Sequence, residues 1–361
     1  MQKRNNYSLS LSLSLDKPPI SGLEKQKKNK FNTNAGFTIV VLLVVIVVIG
    51  ILAAITIISY SGISQKAIVA ALQSDLDNAS KKLKMYYTLY GSYPTALDAS
   101  NCPTVPTADT NYCLPISGSN TINYNGNASS FSLVETNGTT YYKTTNNSSP
   151  TAATNLDYGL VGYYTFNGNA IDSSGNGLSG TVNGATLTTG QGGAANTAYS
   201  FNGTNNTITM PPAGSDIQSI SFWLKKTVGW AAGEFLFNET VSSGTGLSLF
   251  RQGTNDLNSY FVSGANAYRI KDFSNNWFTL DGTWHHYVLS FNKSTFQTTI
   301  YRDGTVYNTI NSDFNTPSGT RTGFNIGGNG VYFNGSLDDL RLYTRALTFG
   351  EDQALYAAGA P

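Results

Sequence analysis

The sequence predicts an α+β amino-terminal module, a long helix with a small antiparallel sheet, followed by a separate all-β sandwich. Three observations lead there. A charge-free apolar run at residues 39–58 passes directly into an amphipathic pattern that lasts to Tyr90. Short alternating stretches broken by Asn-Gly follow, between residues 121 and 144. From residue 158 onward, many short strand patterns alternate with glycine-rich turns. A chain of 361 residues has room for two or three such domains.

Residues 1–36 read as a basic leader with seven Lys or Arg and two Asp or Glu. Its KQKKNK run at 25–30 suits a positive-inside topology signal. Without the leader the formal net charge moves from +1 to −4, which gives no electrostatic basis for binding nucleic acid. The twenty residues from Ile39 to Ile58 contain only Gly50 and Thr56 as departures from plain apolar character. As a helix they reach about 30 Å, the thickness of the hydrocarbon core, so 39–58 is expected to be transmembrane. A secretory signal fits poorly, because its apolar region is shorter and its cleavage site follows it. An uncut signal anchor is the plain alternative. Leu72, Leu76, Ala79, Leu83, Tyr86 and Tyr90 then recur at helical spacing, with most charges off that face, and Gly91 and Pro94 end the helix.

Strand patterns at 121–124, 130–136 and 139–144 would cover the apolar face of the helix and complete a module at 37–143. The polar stretch 144–157 reads as a linker. Cys102 and Cys113 are the only cysteines. Export past the membrane segment would place them in an oxidising compartment, so a disulfide is expected.

The order of basic leader, Gly36, Phe37, Thr38 and an apolar helix with Gly50 inside it resembles the amino terminus of type IV pilins and pseudopilins. The GSYPTALD stretch after the helix is similar to that family as well. The resemblance implies cleavage after Gly36 by a prepilin peptidase, methylation of Phe37, and packing against other pilin subunits through the helix. One position departs. The family usually carries glutamate at the fifth mature residue, which here is Val41. That acid offsets a neighbouring amino terminus in an apolar filament core, where an unpaired charge is costly. Its absence points to a minor or tip subunit rather than a repeating one.

Residues 158–358 contain LVGYYTFNGNAIDSSGNGLSGTVNGA, SISFWLK, DGTWHHYVLSFN and GSLDDLRLYTRALTFGEDQALY in that order. Together these resemble laminin-G-like, concanavalin A-like jelly rolls, which implies two antiparallel sheets packed face to face. The resemblance also implies a structural calcium near the DSSGNG loop and the last strand, with Asp172 and Asp338 as ligands and Asn167 and Asn202 as weaker ones. His285 and His286 are neighbours on a strand and point to opposite faces, so they are not expected to share an ion. No catalytic residues are assigned. Glu234, Glu239, Asp256 and Asp272 form no compact acid pair of the kind glycoside hydrolysis needs. Asp281-Gly282-Thr283-Trp284 matches a sialidase Asp box only superficially. Trp230, Trp277, Tyr260 and Tyr268 suit either a sugar-stacking surface or the core.

The expected function is display, not chemistry: a minor pilin-like surface subunit whose lectin-like domain attaches to a glycan, a host cell or a surface. A pseudopilin of a secretion or DNA-uptake machine and a membrane-anchored glycan-processing enzyme are the alternatives.

Overall fold

The computed structural model describes residues 39–213, 217–241, 244–251, 257–261, 270–272, 278–311, 321–328 and 330–359. The backbone falls into two compact units, one ending at Tyr60 and the other beginning at Ser61. Helix α1 runs Ile39–Tyr90. In the first unit its large apolar side chains from Ile39 to Leu52 are 42–77 % exposed, so every face of this stretch is open. Among the described residues no helix is long and apolar enough to cross a membrane. The described side chains of the run stop at Ala53, about 22 Å of helix against a hydrocarbon core of about 30 Å.

In the second unit α1 becomes one-sided. Leu72, Leu76, Ala79, Leu83 and Tyr86 are fully buried, on the face that the four-and-three spacing marks. Leu76, Ala79 and Leu83 pack with Tyr93, Leu114, Phe131 and Leu133, each large side chain contributing roughly 1.5–3 kcal/mol by leaving water. The helix stops where Gly91 takes φ +75° and its N–H still reaches Tyr87 O at 2.8 Å.

A short ribbon of β1 (Ala96–Leu97) and β2 (Pro103–Val105) follows, beside the Cys102–Cys113 disulfide. Next come β3 (Thr121–Gly126), β4 (Phe131–Thr136), β5 (Tyr141–Thr145) and β6 (Thr151–Ala153), paired in that order as a four-stranded antiparallel sheet. The last strand corrects the linker expected at 144–157. Thr-Ala-Ala shows no apolar alternation, yet its backbone pairs with β5 as an edge strand. Lys143 Nζ closes the stretch by binding Asp157 Oδ1 at 2.6 Å, while Asp157 Oδ2 accepts from Thr154 N.

The sandwich strands are β7 (Leu160–Tyr164), β8 (Thr181–Asn183), β9 (Thr186–Thr188), β10 (Ala198–Asn202), β11 (Thr207–Met210), β12 (Ser219–Lys225), β13 (Phe235–Val241), β14 (Gly244–Arg251), β15 (Leu257–Phe261), β16 (Ile270–Asp272), β17 (Trp284–Asn292), β18 (Gln297–Arg302), β19 (Thr305–Asn311), β20 (Arg321–Ile326) and β21 (Asn334–Tyr343). Helix α2 (Phe349–Gly359) follows them. One sheet has the order β19-β18-β17-β12-β21-β10-β9, with β7 also on β21; the other runs β16-β15-β14-β13-β20-β11-β8. Alternate residues face inward, so Ile220, Phe222 and Leu224 of β12 and Tyr287, Leu289 and Phe291 of β17 meet Ile208, Phe237, Leu249, Phe324 and Ile326 of the opposite sheet. The β18–β19 hairpin turns through Asp303 and Gly304, both at positive φ, as Asp-Gly between strands predicts.

The four-stranded sheet is clamped to the sandwich by Asn176. Asn127 Nδ2 and Ser130 Oγ donate to its carbonyl at 2.5 and 2.6 Å, and Ser132 Oγ donates to its Oδ1 at 2.5 Å. Its Nδ2 donates to Leu160 O and Val161 O at 3.1 and 2.9 Å. Buried partners left without a mate each cost about 1–3 kcal/mol. Asn176→Ala is therefore expected to lower stability by about 2–3 kcal/mol in urea unfolding; an unchanged midpoint would refute the clamp.

Candidate functional site

The outer faces of the two sheets differ. The outer face of the eight-stranded sheet is roofed by α2. Its first turn is fixed by a capping box: Thr348 N and Oγ1 donate to Glu351 Oε2 at 2.8 and 3.0 Å, and Glu351 N donates to Thr348 Oγ1 at 3.3 Å. Beneath it Leu347 and Leu355 pack with Val288, Tyr301 and Tyr343, and Tyr356 stacks on Trp223 with centroids 5.6 Å apart.

That roof encloses a constellation the sequence reading missed. Ser221 Oγ lies 2.9 Å from His286 Nε2, and His286 Nδ1 lies 3.6 Å from Asp352 Oδ1. The residue types match a nucleophile, a base and an orienting acid. Ser221 and His286 are each 1 % exposed and Asp352 is 0 % exposed. The acid also rides on the roof itself, so uncovering Ser221 removes Asp352 from the histidine. Burial pushes the Asp352 carboxyl up to about 7, with Asp303 adding to the effect. Burial also pulls His286 down to about 3, helped by Arg341. The group is therefore a neutral, buried structural pair.

The outer face of the seven-stranded sheet carries a different pattern. Its strand pairing sets Thr181 opposite Thr209, Thr209 opposite Asn325, Asn325 opposite Asn238, and Asn238 opposite Ser248. This makes one continuous polar row across five strands, on the side opposite Ile208, Ile326, Phe237 and Leu249. The row is exposed at Thr181 and Thr209, half-buried at Asn325, and buried at Asn238 and Ser248. Asn183 Nδ2 donates to Thr209 Oγ1 at 3.3 Å, and Ser248 Oγ donates to Asn238 Oδ1 at 3.0 Å. Asn238 Nδ2 has no acceptor among the described residues. Beside the row, Phe235 and Phe250 stack at 4.4 Å with planes 18° apart, both half-buried. An aromatic plate next to amides and hydroxyls can hold a ring by its apolar face and its hydroxyls by hydrogen bonds.

None of these residues was singled out from the sequence. The alternation in FLFNETV and GLSLFR places Asn238, Ser248 and Phe250 on a strand face, but register between strands distant in the chain decides which of them meet.

The residues that were singled out are placed as follows. Gly36 and Phe37 lie outside the described residues. Cys102 and Cys113 form the expected disulfide. His285 and His286 diverge: His285 Nδ1 lies 2.7 Å from Asp303 Oδ2 and its Nε2 3.3 Å from Asp281 Oδ2, while His286 turns beneath α2. Trp230 is core, 6 % exposed among Phe278 and Phe333. Trp277 and Tyr268 lie outside the described residues, as does the side chain of Tyr260.

The calcium expectation meets a poor fit. Asp172 Oδ1 accepts from Tyr163 N and Ser174 N at 3.0 and 2.9 Å, and its Oδ2 accepts from Leu178 N at 3.0 Å. Asp338 Oδ2 accepts from Gln191 N at 3.0 Å and its Oδ1 from Asp339 N at 2.8 Å. The two carboxylates share no partner, and each is aimed at N–H donors, where a cation would need further oxygens. Asn202 Oδ1 caps its own turn at Thr204 N and Asn205 N, and Asn167 is exposed. Among the described residues no group of three metal-ligating side chains converges. The DSSGNG loop instead forms the Asn176 clamp. Excess chelator is expected to leave the melting midpoint of the protein unchanged; a drop of several degrees would restore a bound ion.

Residues 202–351 match the family model described as the concanavalin A-like lectin/glucanases superfamily, Laminin_G_3. This stretch is a concanavalin A-like jelly roll. Among solved structures, the jelly roll is similar to domain 4 of AbnA, an extracellular arabinanase from Geobacillus stearothermophilus solved with arabinotriose, at 24 % identity and TM-score 0.45, over 55 % of this chain and 98 % of that domain. It is also similar to the binding domain of Paraclostridial Mosquitocidal Protein 1, at 19 % identity and TM-score 0.44, over 56 % of this chain and 53 % of that one. The binding domain of botulinum neurotoxin serotype D matches at 13 % identity and TM-score 0.45, over 55 % and 52 %. The chain thus spans about half the length of the two toxin binding domains. No curated protein sequence matches it.

Proposed function

We propose that this protein is a surface-displayed carbohydrate-binding protein, with the jelly roll as its binding head and the apolar stretch at 39–58 as its anchor. One observation carries the reading: the outer face of the seven-stranded sheet holds a polar row beside a stacked aromatic pair, whereas the opposite sheet is roofed by α2. The jelly-roll family and the sugar-bound arabinanase domain agree with that reading at the level of fold. The head binds without cleaving.

The stem is read as a minor pilin-like subunit, cut after Gly36, methylated on Phe37 and assembled with other subunits. Support comes from the residues of 36–58, from the charge-free run that continues to Ile58, and from Val41. The clamp at Asn176 ties the jelly roll to the small sheet within one compact unit. Mass spectrometry of the amino terminus tests the stem: methylated Phe37 is expected, and a chain still beginning at Met1 contradicts it. Incubation of the detergent-purified protein with polysaccharides tests the head, where binding without released sugar is expected. Released reducing ends would make it an enzyme.

A further inference from the structure

The seam between α1 and the small sheet is largely apolar, with Leu76, Ala79 and Leu83 of the helix packed on Phe131 and Leu133 of β4. Two acids are buried in it. Asp75, on the helix beside Leu76, is 6 % exposed. Glu135, two residues beyond Leu133 and so on the same face of β4, is 0 % exposed.

Their partners differ. Ser117 N and Oγ donate to Asp75 Oδ2 and Oδ1 at 2.6 and 2.9 Å. Asn120 Nδ2 donates to Glu135 Oε1 at 3.0 Å, while Glu135 Oε2 has no donor among the described residues. The Asp75 carboxyl stands within hydrogen-bond reach of Glu135. Two carboxylates offer only acceptors, so that contact holds only with a proton between them. Ser117 already serves both oxygens of Asp75, which places the proton on Glu135.

No counter-charge replaces it. The cross-strand neighbours of Glu135 are Ile122 on β3 and Tyr142 on β5. Lys143, next to Tyr142, alternates to the other face of the sheet and binds Asp157. The 117–120 loop brings only Ser117 and Asn120 to the two acids. Among the described residues, the one charged group acting on Glu135 is Asp75.

We propose that Asp75 and Glu135 share one proton as a pH-sensitive latch, which holds α1 against β4 while the proton is present and frees that stretch of the helix when it leaves. Burial, with Asp75 adding to it against the Asn120 hydrogen bond, pushes the Glu135 carboxyl up to about 8. A carboxyl raised in the folded state contributes stability that is complete below its ordinary 4.5 and is lost as pH rises through 8. Inside that window each pH unit lowers the folding constant about tenfold. The latch is independent of the carbohydrate reading.

The test follows urea unfolding of the full chain in detergent between about pH 5 and 8, beside Glu135→Gln and Asp75→Asn. Glutamine keeps a donor for Asp75 but cannot titrate. The folding constant of the native protein relative to Glu135→Gln is therefore expected to fall on the order of a hundredfold or more across the range. Asp75→Asn removes the like charge and offers the Glu135 carboxylate an amide donor, so it should shrink that fall about tenfold. Amide exchange at residues 72–79, corrected for its intrinsic pH dependence, is expected to quicken above pH 8 in the native protein and not in Glu135→Gln. Parallel stability profiles for the native protein and Glu135→Gln overturn the shared proton. Equal exchange in the two at high pH overturns the latch. If Glu135→Gln does not fold, a profile unchanged by Asp75→Asn overturns the pairing.

Discussion

Lys226→Met is expected to cost about 3–5 kcal/mol of folding stability. Lys226 is 1 % exposed and its ammonium donates to Glu234 Oε1 and to Asn334 O, both at 2.6 Å. It also stands over the rings of Trp230 and Phe333 at 4.7 and 5.0 Å. Desolvation pulls its pKa below the ordinary lysine value, against the pull of Glu234. Glu234 is equally enclosed, and accepts from Ala231 N at 2.6 Å and Asn334 N at 3.0 Å. Removing the cation alone strands a buried carboxylate, which is far worse than losing both charges. The double variant Lys226→Met, Glu234→Gln removes both charges; the one amide oxygen keeps only one of the two backbone donors, which bind separate oxygens in the native protein, so it should recover part of the loss. Equal damage in the single and double variants would show that the aromatic packing around the lysine stem, not the charge, is what matters.

His286→Gln is expected to convert a pH-insensitive pair into a pH-sensitive one. In the native protein the two shifts oppose each other. Asp352 is raised from 3.8 to about 7, so its contribution is full below about 4 and is lost as pH rises through 7. His286 is lowered from 6.5 to about 3, so it destabilises the folded state progressively as pH falls below 6.5. Between about pH 4 and 6.5 the unfolded chain carries the proton on His286 and the folded chain carries it on Asp352. The proton counts match, and this pair leaves stability flat. Glutamine can still meet Ser221 but cannot titrate, so only the Asp352 shift remains. Stability of the variant should fall between pH 4.5 and 6.5 by about 2–3 kcal/mol relative to the native protein. Parallel pH profiles for the two proteins would refute the coupling.

What could be read in advance divides along a physical line. The buried face of α1 and the strands of the small sheet were legible because local periodicity reports one-sided burial. Leu72, Leu76, Ala79 and Leu83 needed no knowledge of their partners. The Asp303-Gly304 turn was legible because its backbone conformation belongs to those residue types. The fourth strand at Thr151–Ala153 was not, since an edge strand is held by main-chain pairing that its side chains do not advertise. The clamp role of the DSSGNG loop was not legible either: the carbonyl and Oδ1 of Asn176 bind the neighbouring sheet and its Nδ2 binds β7, partners that its residue type does not name. The polar row and the Ser221–His286–Asp352 group depend on register between strands and on α2, so no window of sequence contains them.

The most direct test of the account is glycan binding by the full chain before and after Asn325→Trp, which puts a bulky ring on the outer face of the seven-stranded sheet, opposite the core side of β20. The account predicts that the native protein binds a neutral polysaccharide and that the filled variant, folded as judged by its melting midpoint, loses that binding. Binding of undiminished strength by the filled variant would place the sugar elsewhere and contradict it.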